Sequence, residues 1–526
     1  MGNAELLIAA LLVGIAGLGA LARWLSVPYP IVLVIGGALF GFIPGVPPIK
    51  LDPSIVLVVF LPPLLYATAF FANLGDMRAN LRGLTLSSVG LVLLTMASVA
   101  VIAHEVVGIP WASAFVLGAL VSPTDPLAAG LIMRRLDAPR RLVSGIEGEG
   151  LFNDATALVI YRVAVGAAVG SAFSLSHAAV TLVMSAAGGV AIGLAVGWLV
   201  AEIRKRTPDP QLSITISLLT GYAAFIPANE LGASGVLAVV TAGIYMGLRG
   251  PSVIPARTRL QGFFVWDILD FIINATLFVL VGLQLRTIVQ SLSGFSAMTL
   301  LGWALAVSGV VVVTRLVWFF TVPYLIRLLD RRPSQRARRL RARDRLLLGW
   351  SGMRGAVSLA AALAIPLTTH HGSRFPARDL ILFLTFAVIL ATLVVQGLSL
   401  PALIRRLGIS DEGAASDEEL RARLGATKAA LAQIDVLAAE EWTRDDTIDR
   451  MRRQYEYRKR RLAARAGKIE DDGYEDRSLA YQQVVQAVLG AQRDALVDLR
   501  REGVISNETM NRIIQELDLE ESRLEI

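Results

Sequence analysis

Apolar runs recur from the first residues to Leu407, at 4–22, 27–43, 53–72, 83–103, 110–133, 146–170, 177–203, 212–228, 232–248, 262–285, 296–326, 346–367 and 379–404. Each is close to the roughly 20 residues with which a helix crosses about 30 Å of hydrocarbon. The pattern predicts an all-α membrane protein with thirteen transmembrane helices over residues 1–407. Glu5 stands where a secretory leader carries positive charge, so the first run is expected to be a span and not a cleaved segment. From about Asp411 the pattern changes. Charged, Gln-containing stretches with helical spacing, 426–466 and 476–501, are broken by Gly467, Asp471-Asp472-Gly473 and Gly503. They predict a helical cytosolic domain over 408–526 with a regulatory or assembly role, its alternating charges reading first as solvated helix faces.

Charge sharpens this picture. Of 526 residues 54% are hydrophobic and 18% charged, whereas a soluble chain is about one-quarter charged, so a single soluble core is excluded. Residues 1–407 hold 31 Lys+Arg and 17 Asp+Glu, and residues 408–526 hold 19 and 26. The basic excess thus belongs to the apolar part and reads as a topology signal, not as a nucleic-acid surface. Loops after odd-numbered runs carry 24 basic residues, nine of them between Arg327 and Arg345; loops after even-numbered runs carry Lys50, Arg286, Arg374 and Arg378. The positive-inside rule places the N-terminus outside and the C-terminal domain in the cytosol of a multi-pass plasma-membrane protein. With no Cys and four His, disulfide scaffolds, thiolate chemistry and a His-built metal centre are not supplied.

Thirteen runs divide as six, one and six, and blocks 1–6 and 8–13 would then have opposite topology, a construction common among secondary transporters. Corresponding runs are interrupted. Run 5 contains Ser122-Pro123-Thr124-Asp125-Pro126, and run 12 contains Gly349-Trp350-Ser351-Gly352-Met353-Arg354-Gly355. Pro123 and Pro126 cannot donate backbone hydrogen bonds, which frees the carbonyls of Ala119 and Ser122 and breaks the helix around Thr124 and Asp125.

A carboxylate in mid-membrane costs about 2.5–3.5 kcal/mol on the translocon scale and asks for an explanation. Asp125 lies between the two prolines, Glu147 and Glu149 open run 6, Asp154 follows, and Asp267 and Asp270 lie in the first turns of run 10. On run 6 Glu149 and Asn153, and Gly150 and Asp154, are spaced four apart and share one helical side. Facing the broken run 5, these residues offer carboxylate, amide, hydroxyl and carbonyl oxygens, a donor set for sodium, lithium or potassium and not for a transition metal. Satisfied polar contacts between helices are the structural alternative. Arg354 is expected to neutralise carbonyl ends of a broken helix or to pair with an acid, since a bound cation would repel it.

The segments Leu61-Pro62-Pro63-Leu64-Leu65-Tyr66, Ser122-Pro123-Thr124-Asp125-Pro126, Gly148-Glu149-Gly150-Leu151-Phe152-Asn153-Asp154-Ala155, Phe264-Val265-Trp266 with Asn274, Phe278 and Gly282, and Gly352-Met353-Arg354-Gly355-Ala356 resemble, in order, the NhaP/NHE-type sodium/proton antiporters of the cation/proton antiporter superfamily. The resemblance implies a thirteen-helix NhaA-like inverted-repeat fold with a dimerisation domain and a six-helix core whose two broken helices cross. It implies ion binding and proton carriage at Asp154, the metal (sodium) ligand, with Glu149, Thr124, Asp125 and Asn153 beside it and Arg354 stabilising the core. The family commonly has Ser where this chain has Gly150, so water or a backbone carbonyl would replace that hydroxyl.

The expected function is electroneutral sodium/proton antiport by a homodimer through alternating access, serving pH and sodium homeostasis. Related antiporters with two adjacent aspartates on this helix move two protons per sodium; Asn153 leaves one exchangeable charge here. No cofactor is implied, sodium and protons being substrates and membrane lipid the surroundings. Potassium/proton antiport and a cation channel are the alternatives. An organic-anion symporter is disfavoured by the acidic site, and an enzyme by the lack of a nucleophile with its base.

Overall fold

The computed structural model describes residues 2–43, 56–79, 81–170, 175–329, 340–370, 372–411, 414–470 and 473–522. Lys50, residues 53–55 of the third run, Arg331, Arg332, Arg336, Arg338 and Arg339 of the basic loop, and Asp471 and Asp472 lie outside the described residues.

The chain divides into two compact units, Met1–Asp411 and Glu412–Ile526. In the first, the main helices are α1 (Gly2–Leu25), α2 (Tyr29–Gly41), α3 (Leu61–Phe70), α4 (Val92–Glu105), α5 (Trp111–Val121), α6 (Pro126–Arg135), α7 (Arg140–Val169) and α8 (Leu175–Lys205). They continue with α9 (Pro210–Glu230), α10 (Gly235–Val253), α11 (Ala256–Ser291), α12 (Ala297–Leu329), α13 (Ala342–Trp350), α14 (Ala356–Leu363), α15 (Arg378–Ala391) and α16 (Gly397–Leu407). Wider π-turns at Val56–Phe60, Leu86–Leu91 and Thr392–Gln396 lead into α3, α4 and α16.

Each apolar run falls on one of these helices or on a pair of them. Among the described residues nine segments are long and apolar enough to cross a membrane, with three shorter apolar helices at Leu11–Leu25, Tyr29–Gly41 and Val58–Phe70. Run 12 is absent from that set because it is divided into α13 and α14. Two expected boundaries are corrected. Helix α7 begins at Arg140 and α11 at Ala256, so Glu147, Glu149, Asp267 and Asp270 stand inside helices and do not open them. Helical backbone bonds are satisfied in water as in lipid, so a helix need not stop where its apolar run does.

Local chemistry sets the ends. Asp209 and Ser234 accept from Leu212 N at 2.7 Å and Leu237 N at 3.3 Å, capping α9 and α10. Gly170, with φ 105°, closes α7 in the left-handed region. Packing between apolar helices in lipid relies on close backbone approach at small residues. Gly189, Gly193 and Gly197 form such a stripe on α8: a Cβ at Gly189 would lie 2.5 Å from Ser234 O and one at Gly197 3.1 Å from Tyr245 Cβ. The stripe seats α8 along α10, and Gly37, Gly41 and Gly282 likewise seat α2 on α11.

The helices sort into two groups. Helices α1–α3 pack with α8–α11; α4–α7 pack with α12–α16, where α5 lies between α4 and α7 and α12 touches α4, α13 and α15. The second group unites runs 4–6 with runs 11–13, each triplet with its middle member broken. The breaks meet, for Asp125 N donates to Met353 O at 2.8 Å.

The C-terminal unit contains α17 (Ala414–Leu437), α18 (Asp445–Arg465), α19 (Tyr474–Arg501) and α20 (Asn507–Ser522). Gly467, Gly473 and Gly503 turn the chain with φ of 63°, 73° and 74°. The expected single stretch 426–466 is two helices. Thr443 Oγ1 donates to Leu437 O and Glu440 O, both at 2.9 Å, a side-chain bond that competes with the helix without needing Gly or Pro.

Candidate ion-binding site

The two breaks present four helix ends to one another. Asp125 caps α6, accepting from Leu127 N at 2.8 Å, with Pro126 at the first helical position, where its missing N–H costs nothing. A methyl group placed on Gly355, the residue before α14, would collide with the Asp125 carboxylate. One acid therefore lies against the positive ends of two helices, each worth about half a charge. Arg354 does the reverse. Its Nε donates to Val121 O, the end of α5, at 2.9 Å, and its Nη1 to Gly352 O just past α13. Its N–H donates to Thr392 Oγ1 at 3.1 Å. Of the carbonyls expected to be free, Ala119 O is not: Ser122 Oγ donates to it at 3.0 Å.

The polar residues of α7 face this crossing but divide in two. Glu149 forms a buried ion pair with Arg315 Nη1 and accepts from Thr124 Oγ1 at 3.3 Å. Asn153 Nδ2 in turn donates to Thr124 Oγ1 at 2.6 Å. Arg315, fully buried on α12, also donates Nε to Leu348 O at 3.2 Å and stacks over Phe319 at 5.0 Å. Glu149, Thr124 and Asn153 thus form a clasp between α7, the run 5 break and α12. Its carboxylate is already neutralised.

Gly150, expected beside the ion, packs directly against the break. A Cβ there would meet Pro126 Cδ at 2.6 Å, Pro126 Cγ at 2.7 Å and Thr124 O at 3.1 Å. Its hydrogen lets α7 touch the break.

Asp154 is different. It is 8% exposed and has no hydrogen-bond or ion-pair partner among the described residues. It lines a cavity of about 280 Å³ together with Asp125, Asp267, Asp270 and Asn274. Glu147, at the same cavity, pairs with Arg134 at 2.5 Å. Asn153 Oδ1 is buried without a partner. A lone carboxylate out of bulk water is stable only with a proton or a cation on it, so this cavity can take either. No set of three or more His, Cys, Asp or Glu side chains among the described residues forms a multidentate metal site.

Residues 7–406 match the family described as sodium/hydrogen exchanger, transmembrane. The chain belongs to the sodium/hydrogen exchanger family. Among this exchanger's relatives is an uncharacterized Na(+)/H(+) exchanger of Mycobacterium tuberculosis, 37% identical over 98% of this chain and 95% of the relative. A sodium, potassium, lithium and rubidium/H(+) antiporter of Bacillus subtilis is 33% identical over 72% of this chain and 58% of its own length. The fold is similar to that of the sodium proton antiporter MjNhaP1 from Methanocaldococcus jannaschii, with a TM-score of 0.60 at 18% identity over 77% of this chain and 99% of that one.

Sequence reasoning passed over Arg315. The sequence carries the signal, because an arginine in mid-run is as costly as a carboxylate there, and run 11 contains no other charge.

Proposed function

We propose that this exchanger-family chain is a secondary antiporter that moves one monovalent cation, sodium foremost, against one proton by alternating access. The observation that supports this most directly is Asp154, buried, unpartnered and open to a cavity beside the crossed breaks. Proton and cation compete for that carboxylate, and the cost of leaving it bare couples the two fluxes without a covalent step or a cofactor. Glu149 and Arg315 cancel each other, and Asn153 does not titrate. Of these α7 residues one exchangeable charge remains, at Asp154, with Asp125 held as a helix cap. Thirteen spans, an external N-terminus and a cytosolic C-terminal unit of regulatory or assembly role complete the reading. The plasma membrane is the site of action, and a homodimer is the assembly, formed through the group of α1–α3 and α8–α11. In this arrangement the acid-lined cavity opens to the cytosol, since Arg134 in the last turn of α6 borders it.

The test is a proteoliposome in which sodium and pH gradients are balanced and a potassium/valinomycin potential of either sign is imposed. A potential does about 2.3 kcal/mol of work per charge per 100 mV, so a one-for-one cycle ignores it. Net proton movement that follows its sign would refute the stoichiometry. A panel of sodium, lithium and potassium salts in the same vesicles separates sodium from potassium exchange, and flux uncoupled from protons would mark a channel.

A further inference from the structure

A second cavity, of about 490 Å³, lies where α1, α2, α6, α11 and α16 meet. Three arginines from distant parts of the chain converge on it: Arg23 in the last turn of α1, Arg135 in the last turn of α6 and Arg405 in the last turn of α16. No acidic residue lines it. Arg135 is fixed, donating Nη1 to Ser26 O and Nη2 to Ser26 Oγ, both at 3.2 Å, and Ser26 holds a left-handed φ of 58° to receive it. The guanidinium groups of Arg23 and Arg405 have no hydrogen-bond or ion-pair partner among the described residues.

These arginines are more than topology determinants. Arg134 and Arg206 pair with acids, Glu147 and Glu202; here three arginines share a cavity without an acid. Each sits at a helix C-terminus, whose partial negative charge offsets about half of one unit, and the cavity stays cationic. Beside it Trp24 is 81% exposed and Leu21 and Leu25 are exposed as well. In a membrane protein an exposed indole flanked by leucines and arginines marks the boundary between hydrocarbon and headgroups.

We propose that this cavity binds the phosphate headgroup of an anionic phospholipid, with Arg23 and Arg405 as its charge partners, Arg135 and Ser26 as its floor, and the acyl chains lying along α1. Basic pockets between helices at this level suit such headgroups. The bound lipid joins α1 and α2 of one helix group to α6 and α16 of the other. It also shares walls with the ion cavity: Leu131 lines both, and Phe271, edge-on to Tyr29 at 5.2 Å, follows Asp270. The proposal depends on the membrane placement and not on which cation is carried.

The experiment uses the purified full-length protein. Phosphatidylglycerol and phosphatidylcholine are titrated and read by native mass spectrometry, and a photoactivatable phosphatidylglycerol is crosslinked and mapped by peptide. Phosphatidylglycerol is expected to bind in preference, and the double variant Arg23→Gln, Arg405→Gln to weaken it about thirty-fold. Arg249→Gln with Arg257→Gln, outside the cavity, should leave binding unchanged. Crosslinks on the wild-type protein should fall near residues 19–29, 131–136 and 401–405, a result that stands even where the double variant fails to fold. Equal binding by the double variant, or crosslinks confined to other segments, would overturn the site. Displacement of the lipid by millimolar glycerol phosphate would make it a site for free anions and overturn the lipid.

Discussion

Replacing Gly150 with Ser separates a ligand position from a packing position. If the site lacks a hydroxyl that relatives possess, the variant should bind sodium more tightly. The geometry predicts the opposite. The new Cβ would stand 2.6 Å and 2.7 Å from two ring carbons of Pro126 and 3.1 Å from Thr124 O, where carbon atoms rest at about 3.5–4.0 Å. Relief requires a shift of about 1 Å between α7 and the start of α6. Neither can yield cheaply, because the obstacle is a proline ring and a backbone carbonyl rather than the end of a flexible side chain. Overpacking of this kind costs about 1–3 kcal/mol. The same shift opens the Asn153–Thr124 bond, now 2.6 Å, and moves Asp154 relative to Asp125; misplacement by about 1 Å is enough for roughly a hundred-fold loss of rate. The assay pairs heat-induced loss of monodisperse protein in detergent, a kinetic measure suited to irreversible unfolding, with sodium-dependent proton flux in liposomes. Gly145→Ser serves as control, since a Cβ there meets nothing within 4 Å on the same helix. Unchanged heat resistance together with a lower apparent sodium constant in Gly150→Ser would refute the packing argument and return the position to the ion shell.

Asp154→Asn should abolish exchange while leaving heat resistance intact, because the amide keeps the shape and cannot trade a proton for a cation; residual coupled flux would remove Asp154 from the mechanism. Arg315→Gln should destabilise the protein by about 3–5 kcal/mol by stranding the buried Glu149, and adding Glu149→Gln should recover a large part; a double variant no better than the single would mean that the pair is not the relevant contact. Truncation after Gly413 should retain measurable exchange with a changed pH profile, since the first compact unit ends at Asp411 and every candidate ligand precedes Leu407. A folded but inactive truncation would assign transport itself to the C-terminal unit.

The helices were legible because a membrane imposes a length and a hydrophobicity that soluble helices need not have, and the breaks because Pro123, Pro126 and the glycines around Arg354 deny a helix its hydrogen bonds or its stiffness. Less legible was the division of labour on α7. Helical spacing puts Glu149, Asn153 and Asp154 on one side, but 3.6-residue periodicity is silent about which neighbour each one meets. Glu149 turns to Arg315, 166 positions away, and Asp154 to the cavity. Gly150 reads in sequence as something missing, whereas its distance to Pro126 shows how little room a side chain would have there. The break at 438–444 of the C-terminal unit depended on Thr443, a residue that local composition does not mark as a terminator.

The crossing of the breaks also has a consequence for biosynthesis. Arg354 and Val121, joined across the site, are separated by 233 positions. At about 5–20 residues per second the first half of the protein waits roughly 10–50 s with the end of α5 and the Asp125 N–H lacking the partners that later complete them. During that interval the nascent chain holds an open break at membrane depth, satisfied only by water or by the insertion machinery. A chain that ends before residue 353 therefore lacks the groups that complete the break, Met353 O for the Asp125 N–H and Arg354 for Val121 O.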